Sequence, residues 1–380
     1  MPLVQTLLNQ RIRSDVLPMH AYKVQDATGM VKLDAMENPF PLPPSLQEKL
    51  GQRLGALALN RYPDTRIHDL RHALAEYVGM PAGCDMVLGN GSDELISLLS
   101  LACARPANTD GKRPVVLAPV PGFVMYSVSA QLQGLEFEGV PLCPDFSLDV
   151  PAMLKAIAQH QPAIVYLAYP NNPTATLWDE DSMAIVIQAA AQTNSIVVVD
   201  EAYQPFSSRS YIDQIRQHPE HNSHVLLMRT LSKFGLAGVR LGYVLGQSAL
   251  IHEIDKVRPP YNISVLNCEC ALFALEHADV FAAQAADIIA ERTRLTLALR
   301  SIGGVTVWDS DANMILIRLE STNHTDDLDR AQTVFEKLKA KGILIKNVSK
   351  MHPLLANCLR LTVGTTTENS QLLAALQEIL

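Results

Sequence analysis

Apolar positions recur along the chain in two rhythms, one helical and one strand-like. Ile67, Leu70, Leu74, Tyr77 and Val78 fall on one helical face, so 66–79 reads as an amphipathic helix, with another expected near 44–56. From residue 114 onward, short Val-rich apolar runs alternate with helical stretches, which predicts strands at 114–118, 135–141, 163–169, 195–199, 224–229 and 241–245. Runs this apolar suit a parallel sheet covered by helices on both faces. Two prolines in Val257-Arg258-Pro259-Pro260-Tyr261 break the pattern. Beyond them a long helix over roughly 278–302, strands near 305–308, 313–318 and 343–347, and a closing helix predict a second, smaller α+β unit. Residues 1–40 read as irregular after one short helix. There Lys32-Leu33-Asp34-Ala35-Met36-Glu37-Asn38-Pro39-Phe40 runs into a Pro-rich segment, an extended arm expected to pack on the second unit. The polar stretch 105–113 and the segment 206–223 read as surface loops.

Length changes this picture little: 380 residues suit two domains. Hydrophobic content of 48% with 18% charged residues is that of an ordinary globular chain. A net charge of −8 without a Lys/Arg run argues against a nucleic-acid footprint. No apolar stretch reaches the length of a membrane span, and Met1 to Arg13 lack the apolar core of a signal peptide. Cys84, Cys103, Cys143, Cys268, Cys270 and Cys358 are scattered, and Cys268-x-Cys270 is too tight for a common zinc pair. The expectation is therefore six thiols, a cytoplasmic setting and no metal site.

Candidate chemistry gathers behind the strands, where open α/β sheets bind ligands. After the run 225–228 comes Arg229-Thr230-Leu231-Ser232-Lys233-Phe234-Gly235, with Arg240 seven positions past the lysine. A lysine between hydroxyls, with an arginine on the same loop, suits an aldehyde cofactor that also carries a phosphate. Lys233 would join the aldehyde covalently, and Thr230, Ser232 and Arg240 would hold the phosphate. Gly89-Asn90-Gly91-Ser92-Asp93-Glu94 opens directly into an apolar helix, an anion site by geometry; capping by Ser92 or Asp93 is the alternative. It is no Walker A loop, because no Gly-Lys-Ser/Thr follows. Phe123 could stack on a flat ring or fill the core. Asn172, in Tyr169-Pro170-Asn171-Asn172-Pro173-Thr174, could donate to a ring oxygen or simply make a turn. Val197-Val198-Val199 deliver Asp200 to a strand end, where a carboxylate needs a structural partner or a cationic ligand nitrogen.

As an ordered set these residues supply what pyridoxal 5′-phosphate requires. Asp200 would keep the pyridine nitrogen protonated and so make the ring an electron sink. Tyr203 and Asn172 would bond the ring oxygen, and Lys233, once displaced by an amino substrate, would act as the base that moves the proton.

The same set, Asn172-Pro173-Thr174, Asp200-x-x-Tyr203 and Ser232-Lys233 with Arg240, resembles the signature of the class I and II aminotransferases of fold type I, over essentially the whole chain. Glu37-Asn38-Pro39, Asn60-Arg61-Tyr62-Pro63, Gly91-Ser92-Asp93-Glu94 and Leu359-Arg360-Leu361-Thr362-Val363-Gly364-Thr365 resemble the branch that acts on histidinol phosphate. The resemblance implies an α/β fold, a large domain with a mostly parallel seven-stranded sheet between helices plus a smaller α+β domain. Its expected division is an arm and part of the small domain (1–60), the large cofactor-binding domain (61–262) and the small domain (263–380). It also implies a homodimer in which Tyr62 of one subunit reaches the cofactor phosphate of the other. Arg360 would grip the carboxylate of glutamate or 2-oxoglutarate, Tyr22 and Asn38 would line the substrate pocket, and Lys346 would face the substrate phosphate. Departures are Ala175 where the family usually has Gly, Phe123 where Tyr is frequent, a shorter Lys233–Arg240 spacing than in some members, and Lys346 where some have Arg.

The expected activity is transamination between L-histidinol phosphate and 2-oxoglutarate, giving imidazole acetol phosphate and glutamate, in histidine biosynthesis. Aromatic amino acid transamination or decarboxylation of a phosphorylated amino acid on the same scaffold is the alternative. A non-catalytic module on an inherited fold would have lost Lys233 or Asp200, and both are present. A nicotinamide enzyme would need a third glycine after Gly89-x-Gly91.

Overall fold

Val197, Val198 and Val199 show how the central sheet forms. β-branched side chains suit the pleat, and successive residues point to opposite faces. Val198 joins an apolar cluster on one face, with Leu95, Ile96 and Tyr166; Val197 and Val199 join another on the far face, with Leu70, Met153 and Met183. This strand is thus sealed on both sides. A computed structural model describes residues 2–21, 25–104, 111–320 and 329–380.

In chain order the strands are β1 (Val31–Lys32), β2 (Cys84–Gly89), β3 (Val115–Val120), β4 (Glu136–Pro141), β5 (Ile164–Ala168), β6 (Ile196–Asp200), β7 (Val225–Thr230), β8 (Gly242–Gln247), β9 (Val305–Val307), β10 (Met314–Leu319), β11 (Ile343–Leu344), β12 (Lys346–Asn347) and β13 (Cys358–Thr362). Seven form the sheet β2-β8-β7-β6-β5-β3-β4, in which β8 alone runs against the rest. Order reverses between β3 and β5, the switch point beside which open α/β sheets hold ligands. This is the α/β, mostly parallel seven-stranded architecture expected. The smaller sheet, β12-β13-β10-β9, is antiparallel, with the helices Ala278–Arg300, Arg330–Ala340 and Thr366–Ile379 sharing its core.

The arm packs where expected. β1 pairs in parallel with β11, and Leu33 and Met36 are buried in the small sheet's core with Leu361 and Val363. Several expectations need correction. The run 84–89 is a strand, pairing edge-on with β8; its polar start, Cys84-Asp85, hid it. The single strand expected over 343–347 is two, because Ile345 separates a pairing with β1 from one with β13. β13 was not anticipated, since Arg360 interrupts its apolar run. Segment 206–223 is not all loop: Ile212–Gln217 is helical and buries Ile212 and Ile215. The helix Val265–Glu276 also went unread; it packs on Arg66–Val78, and Cys268, Ala271 and Leu272 join the larger core. Of the polar stretch 105–113, residues 105–110 lie outside the described residues.

Candidate active site

Four parallel strands and one helix end at a single cavity of about 130 Å³. Its walls include Ser92, Asp93, Phe123, Asn172, Asp200, Tyr203, Thr230, Ser232, Lys233 and Arg240, ten of the expected residues drawn from five separate segments. Met36, Tyr126 and Ala202 line it too and were not singled out beforehand.

β7 carries Thr230 at its end, and the chain then makes a wide helical turn, Ser232–Leu236, that aims Lys233 inward. Gly235 makes the turn possible. Its φ of 137° is open to glycine, and a Cβ there would meet the Phe281 ring at 2.7 Å. The Lys233 Nζ donates to the Ala35 carbonyl at 3.1 Å and stands 5.9 Å from the centre of the Tyr203 ring. Burial, aided by the positive Arg360, brings the Lys233 ammonium down to about 8. A neutral amine is therefore accessible near physiological pH.

One end of the cavity is built for an anion. The Thr230 hydroxyl donates to Ser232 Oγ at 3.0 Å, and Arg240 Nη1 donates to the same oxygen at 3.2 Å. Facing them, the helix Gly91–Cys103 presents the unsatisfied N–H groups of its first turn. Asn90 is its cap position, with Glu94 Oε2 accepting from the Asn90 N–H at 2.7 Å, so neither Ser92 nor Asp93 caps the helix. Asp93 instead accepts from Arg240 Nη2 at 3.1 Å and orients the guanidinium. Gly91, at φ 76°, keeps this cradle open: a Cβ there would lie 2.7 Å from Arg240 Nη2.

A buried carboxylate marks another wall. Asp200 is 4% exposed at the end of β6. The Tyr126 hydroxyl donates to its Oδ2 at 2.6 Å and the Ala202 N–H to its Oδ1 at 3.0 Å. Burial pushes the Asp200 carboxyl up to about 6, against the pull of those two donors. A cationic group beside it would restore the anion. Burial also raises the Tyr203 phenol, so it is a neutral hydroxyl at working pH.

The small domain closes the cavity. Arg360 on β13 donates from Nη1 to Asn172 Oδ1 at 2.7 Å and from Nη2 to the Asp34 carbonyl at 2.7 Å. With its carbonyl so engaged, Asn172 offers its amide N–H groups. Asn38 lies nearby, its Nδ2 donating to Gln284 Oε1 at 2.9 Å and placed 3.1 Å from where a Gly235 Cβ would be. Lys346, half-buried, sits across from Arg360 in the β12–β13 pair but does not line the cavity. Tyr22 lies outside the described residues. Tyr62 is not brought to the cavity of its own chain: it is 77% exposed and stacks on Tyr261 at 4.7 Å. Ala175, where the resembled family has Gly, adopts φ 60° and is buried, so an L-residue here occupies left-handed backbone.

Pyridoxal phosphate is a flat aldehyde with a ring nitrogen and a phosphate arm. The residues present fit it: an amine for the aldehyde, an acid for the nitrogen, Phe123 for stacking, and a Gly-shaped cradle with two hydroxyls and an arginine for the phosphate. A side chain at position 91 would press on the Arg240 guanidinium, the group that would hold the phosphate.

Comparison with known proteins agrees. Residues 28–376 match the family described as aminotransferase class I and II. The chain is 66% identical over 368 residues to a histidinol-phosphate aminotransferase of Paracidovorax citrulli, covering 97% of this chain and 96% of that one. It is 60% identical over 379 residues to one of Methylibium petroleiphilum, covering 100% and 97%. Among solved structures, histidinol-phosphate aminotransferase from Sinorhizobium meliloti in complex with pyridoxal-5′-phosphate superposes with a TM-score of 0.82 at 25% identity, over 97% of each chain. By sequence along nearly its whole length, and by fold, the chain belongs to the class I and II aminotransferases, enzymes that work with pyridoxal 5′-phosphate.

Proposed function

We propose that this enzyme transfers the amino group of L-histidinol phosphate to 2-oxoglutarate, giving imidazole acetol phosphate and L-glutamate, as a step of histidine biosynthesis in the cytoplasm. The observation that carries it is the buried Lys233 amine in one cavity with Asp200 and the Arg240 cradle, in a chain 60–66% identical to relatives named for this reaction. The cofactor, when bound, supplies the electron sink that lets a proton leave the substrate carbon.

The chain's own residues do the rest. Lys233 would hold the aldehyde and, once free, would take and return the substrate proton at Nζ; an amine poised near 8 suits both duties. Asp200 would hold a proton on the ring nitrogen. Asn172 and Tyr203 would donate toward the ring oxygen, and Phe123 would stack on the ring. Gly91 and Ser92 N–H groups, Thr230, Ser232 and Arg240, the last steadied by Asp93, would bind the phosphate. Arg360, steadied by Asn172 and the Asp34 carbonyl, receives the carboxylate of glutamate or 2-oxoglutarate as a planar fork. Asn38 would line the substrate side, and Lys346 would supply a point charge toward the substrate phosphate.

A homodimer with shared sites belongs to this proposal. Tyr62, Leu59, Tyr261 and Leu266 are exposed apolar residues, a surface suited to a second copy whose cavity would receive Tyr62. So does the division into 1–60, 61–262 and 263–380, supported at its start by the packing of Leu33 and Met36 in the small domain, with the helix Val265–Glu276 packing back on the large domain's core.

The half-reaction tests the substrate. Histidinol phosphate should bleach the visible band of the purified holoenzyme at least about 100-fold more efficiently than phenylalanine, the spread that one well-used set of polar contacts provides. Equal efficiency, or release of carbon dioxide from threonine phosphate, would reassign the enzyme to another reaction of the same family.

A further inference from the structure

Tyr126 lines the cavity, and the mechanism above gives its hydroxyl no part. It sits in the first turn of the helix Met125–Gln133, 2% exposed, with its Oη 2.6 Å from Asp200 Oδ2. Its ring stacks on Tyr166 at 4.2 Å and 7°, and the Phe123 ring meets it edge-on at 5.6 Å. Held between rings, the phenol is a fixed donor. The other ionisable neighbours of Asp200 push in the opposite direction: Asp93 and Glu201 both disfavour its ionised form. Tyr203 faces the carboxylate as a neutral phenol. Among side chains, the hydrogen bond from Tyr126 is thus what most favours the Asp200 anion.

The geometry points to Tyr126 as a positioning residue that decides where the shared proton rests: by donating to Oδ2 it keeps Asp200 the weaker base, so the proton stays on the cofactor's ring nitrogen instead of passing to the carboxylate. In a site this dry a neutral pyridine beside a carboxylic acid competes with the ion pair, because separated charge is poorly solvated. A charge-assisted hydrogen bond to the anion tips that balance. The inference rests on the reading that Asp200 faces the ring nitrogen.

Tyr126→Phe keeps both ring contacts and removes only the donor. In the holoenzyme carrying ¹⁵N-labelled cofactor, its ring-nitrogen resonance should move toward the unprotonated pyridine value. The pH profile of the visible band should shift with it, and the amino-donor half-reaction should slow about 10- to 100-fold with a smaller change in KM. Near-UV circular dichroism should stay wild-type. Tyr166→Phe, which removes a hydroxyl that does not bond Asp200, should leave the nitrogen resonance unmoved. A wild-type resonance in Tyr126→Phe overturns the inference. Asp200→Asn separates the two levels: if it too leaves the resonance unmoved, the placement of Asp200 fails as well; if it alone moves it, only the role of Tyr126 falls. Should Tyr126→Phe not fold, 3-fluorotyrosine at position 126, a more acidic phenol and stronger donor, must raise the pH at which the ring nitrogen loses its proton; an unchanged midpoint is equally fatal.

Discussion

Lys233 shows how little a residue's identity says until its surroundings are known. An exposed lysine titrates at about 10.4. Here burial, with Arg360 nearby, lowers the value to about 8. The sign matters: lowering the pKa enlarges the neutral, nucleophilic fraction at every pH between the two values. In the cofactor-free protein, acylation of Lys233 by an amine-directed reagent should therefore rise with a midpoint near pH 8, while exposed lysines follow near 10.4. Peptide mass spectrometry across a pH series reads this directly, and a midpoint with the bulk lysines would deny the amine its poise. Lys233, Asp200 and Arg240 were legible beforehand because their types and order suit one cofactor. Tyr126 was not, since a tyrosine three residues after Phe123 carries no sign of the strand it will face. Of the two readings open for Ser92 and Asp93, an anion site or a helix cap, capping falls away because Asn90, two residues before Ser92, takes the cap position.

At the scale of elements, the end of β6 serves two purposes at once. Asp200 turns to the cavity, and the next residue, Glu201, turns away into a buried pair with Arg229 of β7, Nη2 to Oε2 at 2.8 Å. Ser210 and the Tyr211 N–H complete the shell of Glu201. This network ties β6, β7 and the segment before Ile212–Gln217 into a rigid wall behind Asp200. Breaking it from one side strands a buried charge. Arg229→Met should cost on the order of 3–5 kcal/mol, and Glu201→Gln added to it should recover most of the loss, because a buried pair contributes little net stability beyond an apolar replacement. Urea midpoints of the three proteins would decide; a double variant no better than Arg229→Met would mean that packing, not charge, is what Arg229 supplies. The helices expected near 44–56, 66–79 and 278–302 form as Pro44–Gly55, Arg66–Val78 and Ala278–Arg300. β2 and β13 were not expected, because polar residues fall inside short strands where neighbouring strands, not the local pattern, satisfy them.

The whole molecule joins segments far apart in sequence. Arg360 bonds Asn172 and the Asp34 carbonyl, so the arm, the large domain and the small domain meet at one guanidinium. Tyr62 points out of its own chain, which is the reason for expecting a second one. If Tyr62 completes the neighbouring site, Tyr62→Ala and Lys233→Ala homodimers, each poorly active, should regain activity when dissociated and reassociated together. Random pairing makes half the dimers hybrid, each with one intact site of two, so about a quarter of wild-type activity is expected. Activity that stays at the average of the parents would show that each chain builds its site alone.

Much of this protein was set by its sequence alone. Alternating Val-rich runs and helical stretches dictate a covered parallel sheet, because apolar residues at those spacings can be buried in few other ways. The set of Asn172, Asp200, Tyr203, Lys233 and Arg240 dictates the cofactor, because each type answers one of its chemical needs. Tertiary structure decided the rest. Burial, not residue type, moves Asp200 up and Lys233 down; ring packing brings the Tyr126 hydroxyl to Oδ2; and strand pairing carries Arg360 from the far end of the chain to Asn172. Such effects depend on what surrounds a group in space, and sequence order does not encode those neighbours locally.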